Sequence, residues 1–145
     1  MTIVNLIISG LYIGYIKFAP GSISSLIFLI IYFFIPNIYL YQISLLIFLL
    51  IIGFYCCYIF SRNSLDKDPP FIVIDEITGM YISIFMLPKS IFLYSIAFIL
   101  FRFFDICKPS IINKSQKLSN GLGIMLDDII SGIFALVICW SIYLW

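Results

Sequence analysis

Apolar residues run along the chain in six stretches, roughly 3–16, 23–35, 38–60, 71–87, 90–106 and 122–145, separated by short polar connections. The 38–60 stretch is the firmest. Its uncharged residues make about 34 Å of helix, against a hydrocarbon core of about 30 Å. The stretches near 3–16 and 23–35 are short for a span and fit tilted, re-entrant or half-buried helices. Pro36, Pro70, Pro88 and Pro109 stand near stretch ends, where proline breaks or starts helices. The pattern predicts an all-α, multihelical membrane protein of about four to six hydrophobic helices, folded as one domain over residues 1–145.

Composition supports that class. The chain is 63% hydrophobic with a mean hydropathy of +1.19, well above an ordinary soluble domain. Part of the excess is Ile, Phe and Tyr of the kind an AT-rich genome favours, so hydropathy alone can overcount spans. The aromatic share of 19% is expected to face lipid and the interface. A net charge of +1 with no basic stripe argues against nucleic acid as a partner. The absence of histidine removes a Ser-His-Asp triad, a phosphohistidine, His-ligated zinc and an imidazole base. Cys56, Cys57, Cys107 and Cys139 form no C-x-x-C pair or disulfide framework, and three of them lie in apolar runs as small core hydrophobes. The N-terminus lacks a basic n-region and a small-residue cleavage site, which predicts a retained first helix.

Charge gives a sidedness. If all six stretches cross, the connections carrying Lys17, Arg62, Lys67, Lys108, Lys114 and Lys117 fall on one side, and only Lys89 falls on the other. The positive-inside rule makes the first side cytoplasmic. All seven acids then lie near that interface as well: Asp66 and Asp68 in a loop, Asp75, Glu76, Asp127 and Asp128 near stretch starts, and Asp105 near a stretch end.

Two acidic pairs stand out from the oily background: Val73-Ile74-Asp75-Glu76-Ile77-Thr78-Gly79 and Ile124-Met125-Leu126-Asp127-Asp128-Ile129-Ile130-Ser131-Gly132. A carboxylate at the bilayer centre costs about 2.5–3.5 kcal/mol on insertion scales, so something cationic is expected to hold them. Gly79, Ser131 and Gly132 follow at helical spacing and allow two helices to approach closely. A divalent metal such as Mg²⁺, which takes carboxylates, waters and substrate phosphate, fits such a cluster; solvated or salt-bridged interfacial acids are the plainer reading.

Arg102 and Asp105 share a helix face, and Pro109 ends that helix near Lys108, giving either a phosphate clamp or a local ion pair with a snorkelling lysine. In Lys17-Phe18-Ala19-Pro20-Gly21-Ser22, Pro-Gly makes a turn and Ser22 can cap the next helix, leaving backbone N–H groups for an anion. Asn120-Gly121-Leu122-Gly123 is a weaker signal of the same kind. Cys56 and Arg62 match the C-x₅-R spacing of cysteine phosphatases, but the apolar, glycine-free residues between them read as helix. Asp66-Lys67-Asp68 matches an aspartyl-phosphatase D-x-D only in letters, with no buried strand before it, although Asp68 could join a metal site.

Taken together, these blocks resemble the bacterial phosphatidylglycerophosphatase A family. They run in order from Lys17-Phe18-Ala19-Pro20-Gly21-Ser22, through Asp68-Pro69 and Val73–Met80, to Phe101-Arg102-Phe103-Phe104-Asp105-Ile106-Cys107-Lys108-Pro109 and Gly121–Gly132. The resemblance implies a Mg²⁺-dependent phosphoric monoester hydrolase. Such an enzyme converts phosphatidylglycerophosphate into phosphatidylglycerol and phosphate at the bacterial inner membrane, with its site facing the cytoplasm. Glu76, Asp128 and Asp68 are then expected as metal ligands. Asp75, Asp105 and Asp127 are expected as catalytic carboxylates, with Lys17, Gly21, Ser22, Arg102 and Lys108 on the phosphate. Direct attack by water and a phosphoaspartate route both fit. Ser24 departs from the family's usual glycine, Ser110 and Ile112 from a common Trp and Pro, and Ser119-Asn120 from a usual His-Gly. A CDP-alcohol phosphotransferase would carry a D-G…A-R run that is absent here, and a small transporter or assembly protein would place its acids near mid-membrane. Nothing in the sequence specifies an oligomeric state.

Overall fold

The structure, a computed structural model, describes residues 2–64, 69–116, 118 and 121–145. Among these residues there are helices and one 3₁₀ turn at Ile13–Tyr15, and no strand. The helices are α1 (Thr2–Ile8), α2 (Pro20–Phe34), α3 (Tyr39–Asn63), α4 (Ile74–Ser83), α5 (Ile91–Cys107), α6 (Ser110–Gln116) and α7 (Leu122–Leu144).

Two helices, α3 and α7, are long and apolar enough to cross a membrane. Inside a soluble protein, a helix that is apolar all round is a buried one. For α3 only 28% of its most apolar 18-residue run is buried, and Ile47, Ile51 and Tyr55 point outward. That outer surface needs an apolar solvent.

Two of the six expected stretches are much shorter as helices. The 3–16 stretch breaks after Ile8, where the Leu11 N–H donates to the Leu6 carbonyl and the Gly10 N–H to Ile7. This is a Schellman cap, with Gly10 supplying the left-handed residue at φ 55°. The 71–87 stretch yields only α4, ten residues and about 15 Å long, half a hydrocarbon core. It is buried nearly all round, from Ile74 and Asp75 through Thr78–Ser83, so it is the central helix of the fold and not a lipid-facing span. Hydropathy does not separate these two environments. The sequence reading also missed α6, which Pro109 starts by accepting from the Ile112 and Asn113 N–H groups.

Helix α4 packs chiefly on α7 and then α2. Its closest approach is to α7, where a Cβ on Gly79 would come 2.6 Å from the Asp128 carbonyl oxygen and one on Gly132 would strike the Gly79 carbonyl. Small residues bring the two acid-bearing helices into backbone contact, as their spacing predicts.

At the end of the molecule where α2 stops, Tyr32, Tyr81 and Tyr94 are buried, with the Tyr32 ring stacked on Tyr94 and met edge-on by Tyr81. The expectation of lipid-facing aromatics fails for these three, whereas residues such as Phe34, Tyr55 and Phe92 are exposed. The Tyr81 hydroxyl donates to the Gln42 carbonyl at 2.9 Å and the Met86 N–H to the Gln42 Oε1 at 3.2 Å. Lys89 Nζ caps α2 by donating to the carbonyls of Tyr32 at 3.1 Å, Phe33 at 2.7 Å and Ile35. Of the cysteines, Cys56, Cys57 and Cys139 are buried and Cys107 is exposed, and all are free thiols.

Candidate active site

At the opposite end, the starts of α2, α4 and α7 meet the end of α5 around a cleft of about 280 Å³. The described residues lining it include Gly21 from α2, Asp75 and Glu76 from the first turn of α4, Arg102 and Asp105 from α5, Lys108 just beyond it, and Asp127 and Asp128 from α7. The walls of Ala19, Pro20, Pro69, Pro70 and Ile72 were not assigned to the site by sequence reasoning. They carry no side-chain charge, although Ala19, Pro20 and Pro69 belong to the sequence blocks that flank it.

Three carboxylates dominate. Asp75, Glu76 and Asp128 each offer an oxygen within 4.8 Å of the others; Asp75 and Asp128 are buried and Glu76 is half-buried. At an effective dielectric of about 20, each like-charged pair at this separation repels by roughly 3–4 kcal/mol. The α4 N-terminus gives back only about 0.3–1 kcal/mol per acid. Asp75 Oδ1 accepts the Glu76 N–H at 3.0 Å, whereas Glu76 Oε2 and Asp128 Oδ1 are buried without a hydrogen-bond partner among the described residues. Unused hard oxygen ligands in an acid-rich pocket suit a divalent cation, so the donor set passes the test for a metal. Asp68, also expected as a ligand, lies outside the described residues.

The two cleft cations have fixed anchors. Arg102 NH1 lies 2.8 Å from Asp105 Oδ2, while its Nε, also buried, has no hydrogen-bond partner among the described residues. Lys108 Nζ donates to Asp127 Oδ2 at 2.6 Å. Burial alone would lower the Lys108 pKa, but the bond to Asp127 and the charges of Asp127, Asp128 and Asp105 outweigh it and hold the ammonium above its ordinary value. Lys108 itself sits in a left-handed C-cap at φ 39°, and its side chain reaches Asp127 on α7.

The α2 block meets the site differently from the expectation. Ser22 is not the cap: Ala19 holds that place at φ 43°, without a side-chain cap bond, and Pro20 opens the helix. Gly21 is the residue that matters in this turn, because a Cβ there would run into the Glu76 carboxylate. The first backbone bond is given by Ile23 to Ala19, so the N–H groups of Gly21 and Ser22 stand ahead of it. Ser24, where the family pattern has glycine, is buried and donates its hydroxyl to the Gly21 carbonyl at 2.9 Å, so the departure is satisfied within the helix. Ser22 is absent from the lining of the cleft, as is Lys17, which is exposed and lines a neighbouring cavity.

Residues 6–143 match the profile of the phosphatidylglycerophosphatase A family. The chain belongs to that family. Similar proteins include an Escherichia coli phosphatidylglycerophosphatase A, 30% identical over 95% of this chain and 82% of its own length. A Haemophilus influenzae phosphatidylglycerophosphatase A is 38% identical over 61% of this chain and 58% of its own. A Bacteroides thetaiotaomicron protein provisionally named phosphatidylinositol-3-phosphatase is 32% identical over 92% of this chain and 89% of its own. No solved structure matches the fold. The family blocks coincide with the cleft: the acidic pairs form its floor, and the F-R-x-F-D-x-x-K-P block supplies Arg102, Asp105 and Lys108.

Proposed function

We propose that the protein removes the terminal phosphate of phosphatidylglycerophosphate, giving phosphatidylglycerol and inorganic phosphate, and that it uses Mg²⁺. The observation that carries this reading is the trio Asp75, Glu76 and Asp128, with open oxygens on Glu76 and Asp128, beside two cations already oriented by their own carboxylates. Family membership supplies the substrate class.

Glu76 and Asp128 would hold the metal, with Asp68 as a further candidate from the sequence. When bound, the ion supplies positive charge to the phosphoryl oxygens and helps activate the nucleophile. Arg102 and Lys108 bind the remaining phosphate oxygens, and Asp105 and Asp127 keep them aimed at the cleft. The N–H group of Gly21 at the start of α2 adds a donor for the same anion. Asp75 lies in the cluster but pairs with neither cation, so we assign it the proton of the attacking water. The water oxygen forms a bond to phosphorus as the P–O bond to the glycerol breaks. The departing alkoxide takes a proton from solvent water and leaves as phosphatidylglycerol, and Asp75 gives its proton back to the solvent.

Four helices, α2, α3, α5 and α7, meet lipid in this reading, and α4 lies between them. The outward side chains of Ile30, Phe34, Ile99 and Phe103 on α2 and α5 are exposed, which supports it. The non-helical turn after α4 is shielded at Ile84 and Leu87, as irregular backbone at membrane depth must be. Lys17 and Lys108 lie towards the cleft end and Lys89 at the far end of α2. That bias favours a cleft facing the cytoplasm from the inner membrane.

The test is phosphate release from phosphatidylglycerophosphate by the purified protein in detergent, with Mg²⁺ or with EDTA. Release that requires Mg²⁺ supports the proposal. Faster release from phosphatidylinositol 3-phosphate, the substrate in the Bacteroides relative's name, would move the assignment to that lipid.

A further inference from the structure

Beside the cleft lies a second cavity of about 310 Å³, and the two share Pro20 and Pro70 as walls. Its lining is unlike the first. No carboxylate is among the described residues that form it; they are Gly14, Tyr15, Ile16, Lys17, Pro20, Pro70 and Phe71. Lys17 brings the charge, and it is exposed. Tyr15 and Phe71 stack face to face, with ring centroids 5.1 Å apart and planes 5° from parallel. Gly14 presses on the Phe71 backbone so closely that a Cβ would strike its carbonyl oxygen. The Tyr15–Lys17 segment is thus fixed to the segment that leads into α4. The left-handed turn at Ala19 then leads directly to Gly21 and the acid-lined cleft.

We infer that this cavity is a binding site for the phosphodiester of the lipid substrate, with Lys17 as its anion ligand, while the terminal phosphate occupies the acidic cleft. The inference rests on the lipid-phosphatase reading above. The lipids in the relatives' names carry two phosphates separated by a polyol, a phosphodiester on the diacylglycerol side and a terminal monoester. A doubly phosphorylated head group needs two anion sites, and they need not be alike. The monoester is the more highly charged and meets the metal-competent acids with Arg102 and Lys108. The diester carries one charge and is not cleaved, so a single lysine without acids suits it. Lys17 is therefore a specificity determinant, separating two-phosphate lipids from phosphatidic acid, which has only the monoester.

The test is calorimetric titration of the full chain in detergent with Mg²⁺ present, using short-chain phosphatidylglycerol, which carries only the diester, and inorganic phosphate, which mimics only the monoester. Lys17→Met should weaken phosphatidylglycerol binding by about tenfold and leave phosphate binding within twofold, while Lys17→Arg retains most of the affinity for phosphatidylglycerol. Phosphate binding that weakens as much as phosphatidylglycerol binding would place Lys17 on the monoester and overturn the inference. Equal binding of phosphatidylglycerol by the parent and Lys17→Met, or none by the parent, would also overturn it. Phosphate release by the parent is followed in parallel: its absence would sink the catalytic reading, while the binding comparison would still decide the second site.

Discussion

The two ends of the helix bundle both bury polar groups, and they treat them in opposite ways. Where α2 ends, the groups close on one another. Lys89 donates to the last carbonyls of α2, Tyr81 to the Gln42 carbonyl, and Gln42 accepts from Met86. Where α2 begins, Glu76 Oε2, Asp128 Oδ1 and Arg102 Nε are buried and have no hydrogen-bond partner among the described residues. A buried polar atom left unsatisfied costs about 1–3 kcal/mol, and more when charged. The first end is organised as structure. The second bears a cost that a bound ligand would remove.

That contrast can be broken most severely at the open end. Asp128→Asn keeps the shape and removes the charge, and phosphate release should fall by about a hundredfold or more, measured at saturating Mg²⁺. The fold should survive, because the substitution also relieves like-charge repulsion with Asp75 and Glu76. Asp128→Asn with activity near the parent would remove α7 from the chemistry.

Next in size is the seam that brings the two acidic pairs together. Gly132→Val places side-chain atoms against the Gly79 carbonyl, and such overpacking costs about 1–3 kcal/mol. Thermal unfolding in detergent should shift downward, and activity should fall because Asp128 moves away from Glu76. A variant that melts like the parent would mean the helices are less closely apposed than their glycines indicate.

The closed end should respond in stability alone. Lys89→Met deprives the end of α2 of its side-chain donor, with an expected loss of about 1–2 kcal/mol and a kcat like the parent's. Tyr81→Phe removes one hydroxyl donor and should cost about 1 kcal/mol, read by the same melt. If either variant reduced kcat more than it reduced stability, the two ends would be coupled and the division would fail.

The sequence exposes these two ends unequally. Acidic pairs in apolar surroundings, followed by small residues at helical spacing, announce both the chemistry and the α4–α7 contact. The long helices α3 and α7 are equally plain. The break at Gly10 and the brevity of α4 are not, because apolar residues read the same against lipid as against protein. The closed end is nearly invisible, since Gln42, Tyr81 and Lys89 are far apart in the chain and none belongs to a motif. Lys17 shows a third kind of limit. Its proximity in sequence to Pro20-Gly21 suggested the same anion site, but the left-handed turn at Ala19 sends it into the adjoining cavity.

The central claim is that the open end is a metal site. Mn²⁺, with electron paramagnetic resonance to count the free ion, reads this without any turnover. The parent should bind Mn²⁺ saturably and Mg²⁺ should displace it. Asp128→Asn should bind at least tenfold more weakly, while Lys89→Met should match the parent. No saturable binding by the folded parent, or equal binding by Asp128→Asn, would contradict the account.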